Sequence, residues 1–220
     1  MYQEISIMHK DVTLEGHLSW NDNPEAWVIF AHGSGSSHHS PRNNWVAGEL
    51  NKHGYGTFLF DLLTPEEDEM YQNRFDIPLL ARRLLTATEW LIKSHYYQNE
   101  PIVYFGASTG AGAALMAAAE ADEKWPLFAV ISRGGRPDLA SKEKLKKINR
   151  PVLLIVGSLD TEVIELNKFA QDLLKKVDLI LISGATHLFE EPGTLNEVVS
   201  VTKHWLQKQL PDSRHREISL

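Results

Sequence analysis

Residues 102–121 constrain the fold more tightly than any other stretch of this chain. The apolar run Ile102-Val103-Tyr104-Phe105 leads straight into Gly106-Ala107-Ser108-Thr109-Gly110, and Ala-rich, helix-forming sequence follows to Ala121. A strand, a turn of the form G-x-S-x-G and a helix in immediate succession put the serine on strained backbone, with space only for small residues two positions either way. Such a turn lifts the hydroxyl above the edge of a sheet, and the helix N-terminus aims free N–H groups at the same point. The plainer reading is a serine that only caps the helix, and the rest of the chain weighs between the two.

A serine nucleophile needs a base, and the base needs an orienting carboxylate. In strand-turn-helix sites of this kind the chain order is serine, acid, histidine. Pro151 to Val156 reads as a buried strand, and Gly157-Ser158-Leu159-Asp160 leaves its end. An amphipathic helical stretch, Val163 to Lys176, precedes another short apolar run, Leu179 to Ile182, after which Ser183-Gly184-Ala185-Thr186-His187 forms the next loop. In a parallel sheet Asp160 and His187 share an edge with Ser108. Asp160 is the expected acid, with Glu162 as its rival, and His187 the expected base. The structural alternatives are a helix cap for Asp160 and a surface pairing of His187 with Glu190 or Glu191.

The fourth expected component is a pair of backbone donors. Val28 to Ala31 reads as a strand, and His32-Gly33-Ser34-Gly35-Ser36-Ser37 leaves it. A His-Gly-rich turn there supplies one N–H to a developing oxyanion, and the residue after the nucleophile supplies the other. These donors are assigned to Ser34 and Thr109, with Gly33 or Gly35 as alternatives to Ser34. Gly-rich turns also cradle phosphates, but no G-K-[ST] or G-x-G-x-x-G pattern accompanies this one.

Ser132-Arg133-Gly134-Gly135-Arg136-Pro137 ends the strand-like run Leu127 to Ile131 and belongs on the same edge. Arg133 or Arg136 is a candidate for holding an anionic substrate group, against the alternative of an arginine paired with a neighbouring carboxylate. Leu62 to Phe75 occupies the place of a short lid, and its run Glu66-Glu67-Asp68-Glu69 reads as a solvated helix face. His38-His39 suggests no metal centre, because adjacent histidines are expected to diverge and no third ligand is suitably spaced. No metal is expected.

Ile5 to Met8 and Val12 to Trp20 read as an edge hairpin, after which strands alternate with helices in the rhythm of a mainly parallel sheet. Helix starts are expected at Ser40-Pro41, at Thr64-Pro65 with Glu67 closing a capping box, at Asp76, and at Thr194 with Glu197 as a further capping box. At 220 residues a single domain over 1–210 is expected, with a frayed polar tail over 211–220.

The segments His32 to Ser40, Arg74 to Trp90, Phe105 to Ala114, Ile131 to Asp138, Leu154 to Asp160 and Gly184 to Gly193 together resemble the dienelactone-hydrolase-like family of α/β-hydrolase fold proteins. The resemblance implies a mainly parallel sheet of about eight strands with helices on both faces. It also implies an esterase or lactonase with a covalent acyl intermediate, acting on a small ester or lactone without a cofactor. The namesake enzymes use a cysteine nucleophile. This chain has no cysteine, and Ser108 stands at the turn instead. A thioesterase or peptidase would share the triad, and a binding protein would share the fold. Twenty-nine acidic against 22 basic residues, a formal net charge of −7, argues against a general nucleic-acid binder. Neither a membrane-spanning run nor a signal pattern is read, so the expected location is cytoplasmic.

Overall fold

The computed structural model describes residues 1–210, and the tail read at 211–220 lies outside the described residues. An eight-stranded sheet runs in the order β1-β2-β4-β3-β5-β6-β7-β8. Its first two strands, β1 (Tyr2–His9) and β2 (Val12–Ser19), form the expected edge hairpin, and β2 pairs antiparallel with β4 (Gly56–Phe60). Every later pairing is parallel, through β3 (Trp27–Ala31), β5 (Ile102–Ala107), β6 (Leu127–Arg133), β7 (Val152–Gly157) and β8 (Val177–Ile182).

β3, β5 and β7 are buried along their whole length, as strands covered on both faces must be. Alternation along them sends side chains to opposite layers. Val28, Phe30, Val103 and Phe105 meet α1 (Pro41–Lys52) and α7 (Thr194–Gln209) on one face. Ile29, Ala31, Ile102 and Tyr104 meet α3 (Ile77–Lys93) and α4 (Thr109–Glu120) on the other. α2 (Pro65–Glu69), α5 (Lys142–Lys147) and α6 (Thr161–Gln171) complete the helices, with 3-10 turns at Tyr71–Phe75 and Pro137–Ala140.

Three of the four expected helix starts form as read. Ser40 Oγ accepts from Asn43 N–H, Thr64 and Glu67 make a complete capping box, and Asp76 accepts from Leu79 N–H. The fourth differs. α7 begins after Gly193 at φ 85°, and the Thr194 hydroxyl donates back to the Glu191 carbonyl, so no capping box forms. The left-handed glycine turns the chain into the helix and leaves Thr194 already inside it. α6 also starts and ends earlier than the periodicity suggested, because Asp160 already flanks the helix and Asp172 closes it.

The strand order reverses at β3, whose successor β4 lies on one side while β5 lies on the other. At such a switch point the loops after the two strands diverge and leave a crevice at their carboxyl ends. Register places Ala31 beside Gly106, and Ala107 beside Arg133, so the loops after β3, β5 and β6 emerge side by side.

Candidate active site

Ser108 sits between β5 and α4 at φ 51°, ψ −120°, in the strained conformation expected of it. Its side chain makes no capping bond to the helix. The flanking glycines are required by contact. A Cβ on Gly110 would lie 2.2 Å from the Ala31 carbonyl oxygen and 2.4 Å from that of His32. A Cβ on Gly106 would lie 2.4 Å from Ala111 Cα. The turn is also pinned from the side: Ser108 N–H donates to the Arg133 carbonyl, and the Ser108 carbonyl accepts from Ala111 and Arg136 N–H.

The three residues expected to act together are brought together. Ser108 Oγ lies 3.2 Å from His187 Nε2, and His187 Nδ1 lies 2.6 Å from Asp160 Oδ2. Asp160 makes no side-chain cap to α6, although its N–H and carbonyl join the turn and the helix. Its carboxylate is mostly shielded, while His187 is about a third exposed. A hydroxyl, an imidazole and a carboxylate in series can move a proton off the hydroxyl while the carboxylate holds the ring in one tautomer.

Two loop-to-loop ties hold this relay. Ser158 N–H and Leu159 N–H donate to the Ile182 and Ala185 carbonyls, which joins the Asp160 loop to the His187 loop. Thr186 donates from its backbone and its hydroxyl to Glu191, at 3.2 and 2.6 Å, and these bonds hold the Glu191 carboxyl below the usual range. Glu191 therefore braces the histidine loop rather than pairing with the ring. No local pattern in the sequence announces that role.

Gly33 and Ser34 border the same cavity as Ser108, and a Cβ on Gly33 would lie 3.3 Å from the Ala107 carbonyl and 3.4 Å from Ser108 Cβ. Thr109 is buried at the first position of α4, where backbone N–H groups have no partner within the helix. Gly35, at φ 66°, faces the Arg74 guanidinium instead, beside a separate small cavity that Leu62 and Leu63 help line. His32 orders this loop from below. Leu62 N–H donates to its Nε2 at 3.0 Å, and its Nδ1 lies 2.9 Å from the Gly33 carbonyl, which requires the neutral ring protonated on Nδ1. Burial lowers its pKa, consistent with that neutral form.

The cavity beside Ser108 measures about 270 Å³ and is walled by Ser36, Ser40, Arg42, Asn43, Arg133 and Leu188 in addition to the residues above. Arg133 is buried, and its Nη2 donates to Asn43 Oδ1 at 3.1 Å rather than to an Asp or Glu. Arg136 does take the carboxylate partner expected of a structural arginine, pairing with Asp138 at 2.7 and 2.9 Å.

The lid segment contributes less to this cavity than its position suggested. Met70, Tyr71 and Phe75 are exposed. The acidic run is only half solvated, since Glu67 pairs with Arg83 and Asp68 with Arg74. His38 and His39 do not diverge. Their ring centroids stand 3.7 Å apart, and His38 pairs with Asp61, because the turn before α1 folds both rings to one side. Among the described residues no group of three or more His, Asp or Glu side chains is arranged to hold a metal ion, and no helix is long and apolar enough to cross a membrane.

Residues 24–207 match a family model described as an alpha/beta hydrolase domain. A solved dienelactone hydrolase from Anabaena variabilis superposes with a TM-score of 0.89 at 45% identity, covering 96% of this chain and 99% of that one. Est1E from Butyrivibrio proteoclasticus shares the fold, with a TM-score of 0.78 at 17% identity over 94% of this chain and 98% of its own. A Mycobacterium tuberculosis protein described, provisionally, as a phosphoribosyl transferase is 50% identical over 204 residues. That match takes in 92% of this chain and 45% of the relative, so the chain spans about half the length of the curated protein it resembles.

Proposed function

We propose that this chain, which belongs to the alpha/beta hydrolase domain family, is a serine hydrolase of small carboxylic esters or lactones. The observation that carries the reading is the unbroken series Ser108 Oγ, His187 and Asp160, mounted on a turn whose backbone strain presents the hydroxyl to an open cavity. A binding protein has no need of all three residues in this order.

In the proposed reaction His187 Nε2 takes the Ser108 proton as Oγ attacks the substrate carbonyl. Positive charge then builds on the imidazole, and the 2.6 Å contact with Asp160 becomes a charge-assisted hydrogen bond. The carbonyl oxygen becomes an oxyanion, received by the Ser34 and Thr109 N–H groups. One such donor contributes about 3 kcal/mol to the transition state. His187 returns the proton to the departing alcohol, which leaves an acyl group on Ser108. The imidazole next takes a proton from a water molecule as its oxygen attacks the acyl carbon, and His187 returns that proton to Ser108 Oγ as the carboxylic acid leaves. A lactone gives a single hydroxy acid by the same steps. Neither a metal nor an organic cofactor takes part.

The name carried by the longer relative does not require a second reading. This chain aligns with 45% of that protein, so the activity its name gives to the whole need not belong to the aligned part. The test is hydrolysis of p-nitrophenyl acetate through decanoate, together with labelling by a fluorophosphonate probe. Wild type is expected to turn over the shorter esters and to label at Ser108, and Ser108→Ala to do neither. Equal turnover in both proteins, or labelling that survives in the variant, would sink the reading.

A further inference from the structure

The cavity beside Ser108 carries more positive charge than ester hydrolysis uses. Arg133 is 8% exposed, it donates through Nη2 only to the neutral Asn43, and its Nη1 is buried without a hydrogen-bond partner. The other buried arginine among the described residues, Arg83, has the carboxylate of Glu67. An arginine held out of water without a counter-ion is unfavourable, and a group that supplies the missing charge and acceptor relieves it. Burial, and the Arg42 guanidinium nearby, push the Arg133 pKa down to about 10, which leaves it charged at neutral pH.

Arg42 lines the same cavity from the first turn of α1. It is paired at 2.6 Å with Glu190 from the loop that follows His187, and both side chains are partly exposed. That contact links residues 148 apart in sequence across the cavity wall. The pair is neutral as it stands, and an exposed ion pair of this kind is weak enough to be exchanged. Ser36 and Ser40 line the cavity as well, and the α1 N-terminus adds partial positive charge at the same place.

We infer that this cavity receives an anionic oxygen group of the substrate, a carboxylate or a phosphate, with Arg133 as its fixed cation and Arg42 as a second cation that leaves Glu190 to meet it. The inference rests on the ester-hydrolase reading and adds the substrate class to it. Glu190 then acts as a placeholder. It neutralises Arg42 while the site is empty and competes with the incoming anion. Planar guanidinium groups suit this recognition because they present paired donors to two oxygens at once.

The experiment compares kcat/KM for p-nitrophenyl monosuccinate with that for p-nitrophenyl butyrate, which has the same acyl length and no second charge. Wild type is expected to favour the succinate ester. Arg42→Gln should lower that preference about 10-fold, in the range of a lost charged hydrogen bond. Glu190→Gln should raise it about threefold, and added salt should erode it in wild type. Arg133→Gln should abolish the preference, and because Arg133 is buried the exposed Arg42 and Glu190 variants carry the test if that protein does not fold. Calorimetric titration of wild type and Arg42→Gln with succinate and with inorganic phosphate reads the site without turnover, and the tighter anion names the group. A preference at or below one that ignores all of these substitutions, or no binding of either anion, overturns the proposal. Ser108→Ala with undiminished turnover instead overturns the hydrolase reading, and the titrations alone then decide whether the anion site exists.

Discussion

Gly110→Ala tests how closely the serine turn and the loop after β3 depend on each other. The added Cβ would stand 2.2 Å from the Ala31 carbonyl oxygen and 2.4 Å from that of His32. An ordinary carbon–oxygen contact is about 3.3 Å or longer, so the backbone of β3 and of the turn must separate by roughly 1 Å. Both atoms are backbone, so no flexible side chain can absorb the clash. Overpacking of this kind costs about 1–3 kcal/mol, and the rigid partners place this case at the upper end. For a chain of this size about 3 kcal/mol corresponds to a fall in Tm of about 6–12 °C. The same movement carries Gly33 and Ser34 away from Ser108. In the proposed mechanism that movement withdraws one oxyanion donor, a loss worth about 10²–10³-fold in kcat, so kcat should fall about 100-fold while KM changes little. Gly48→Ala is the matched control. It lies exposed within α1 with nothing within 4 Å of the new Cβ, and should stabilise by about 0.5–1 kcal/mol without affecting kcat. Scanning calorimetry and steady-state kinetics on the two variants give the answer. If Gly110→Ala melts and turns over like wild type, the close approach is not what holds the turn.

Two further outcomes follow from the hydrogen bonds of the site. Asp160→Asn should keep the fold and the affinity for an ester but lower kcat by about 10⁴-fold, because an amide can favour the wrong imidazole tautomer; a loss below 10-fold, measured with p-nitrophenyl acetate, would show that Asp160 does not orient His187. His32 is held neutral in the folded protein, its pKa lowered chiefly by burial, while the Gly33 carbonyl, Asp61 and Asp68 pull more weakly the other way. Its contribution to stability is therefore complete above about pH 6.5, the ordinary histidine value, and is lost as the pH falls from there toward the depressed folded value. Thermal unfolding from pH 7 to 5 should show a steeper decline in wild type than in His32→Gln, whose amide can donate to Gly33 and accept from Leu62; parallel curves would refute the assignment, and the comparison removes the similar burial effect at His17.

The architecture and the meeting of Ser108, Asp160 and His187 were legible in the chain because each rests on short-range physics. A run such as Ile102 to Phe105 is a strand because its apolar side chains must be covered on both faces. The Gly106 and Gly110 spacing reports a turn too tight for larger residues. Once strands alternate with helices, parallel pairing carries every following loop to one edge, and the order serine, acid, histidine does the rest. Local signals failed where a single competing contact overrode them. The Thr194 capping box lost to the left-handed Gly193, and the expected divergence of His38 and His39 lost to the fold of the turn before α1.

What the sequence by itself determined was the sheet, the strained serine turn and the edge on which Ser108, Asp160 and His187 would gather. Only the tertiary structure decided what surrounds them. Arg133 could be read as a ligand for an anion or as half of an ion pair, and packing alone shows that its neighbour is Asn43, 90 residues away in the chain. The Arg42–Glu190 pair, and the cavity the two arginines share, arise the same way. Periodicity and turn chemistry act over a few residues, whereas the charge balance of a cavity depends on which distant side chains close packing brings to its walls.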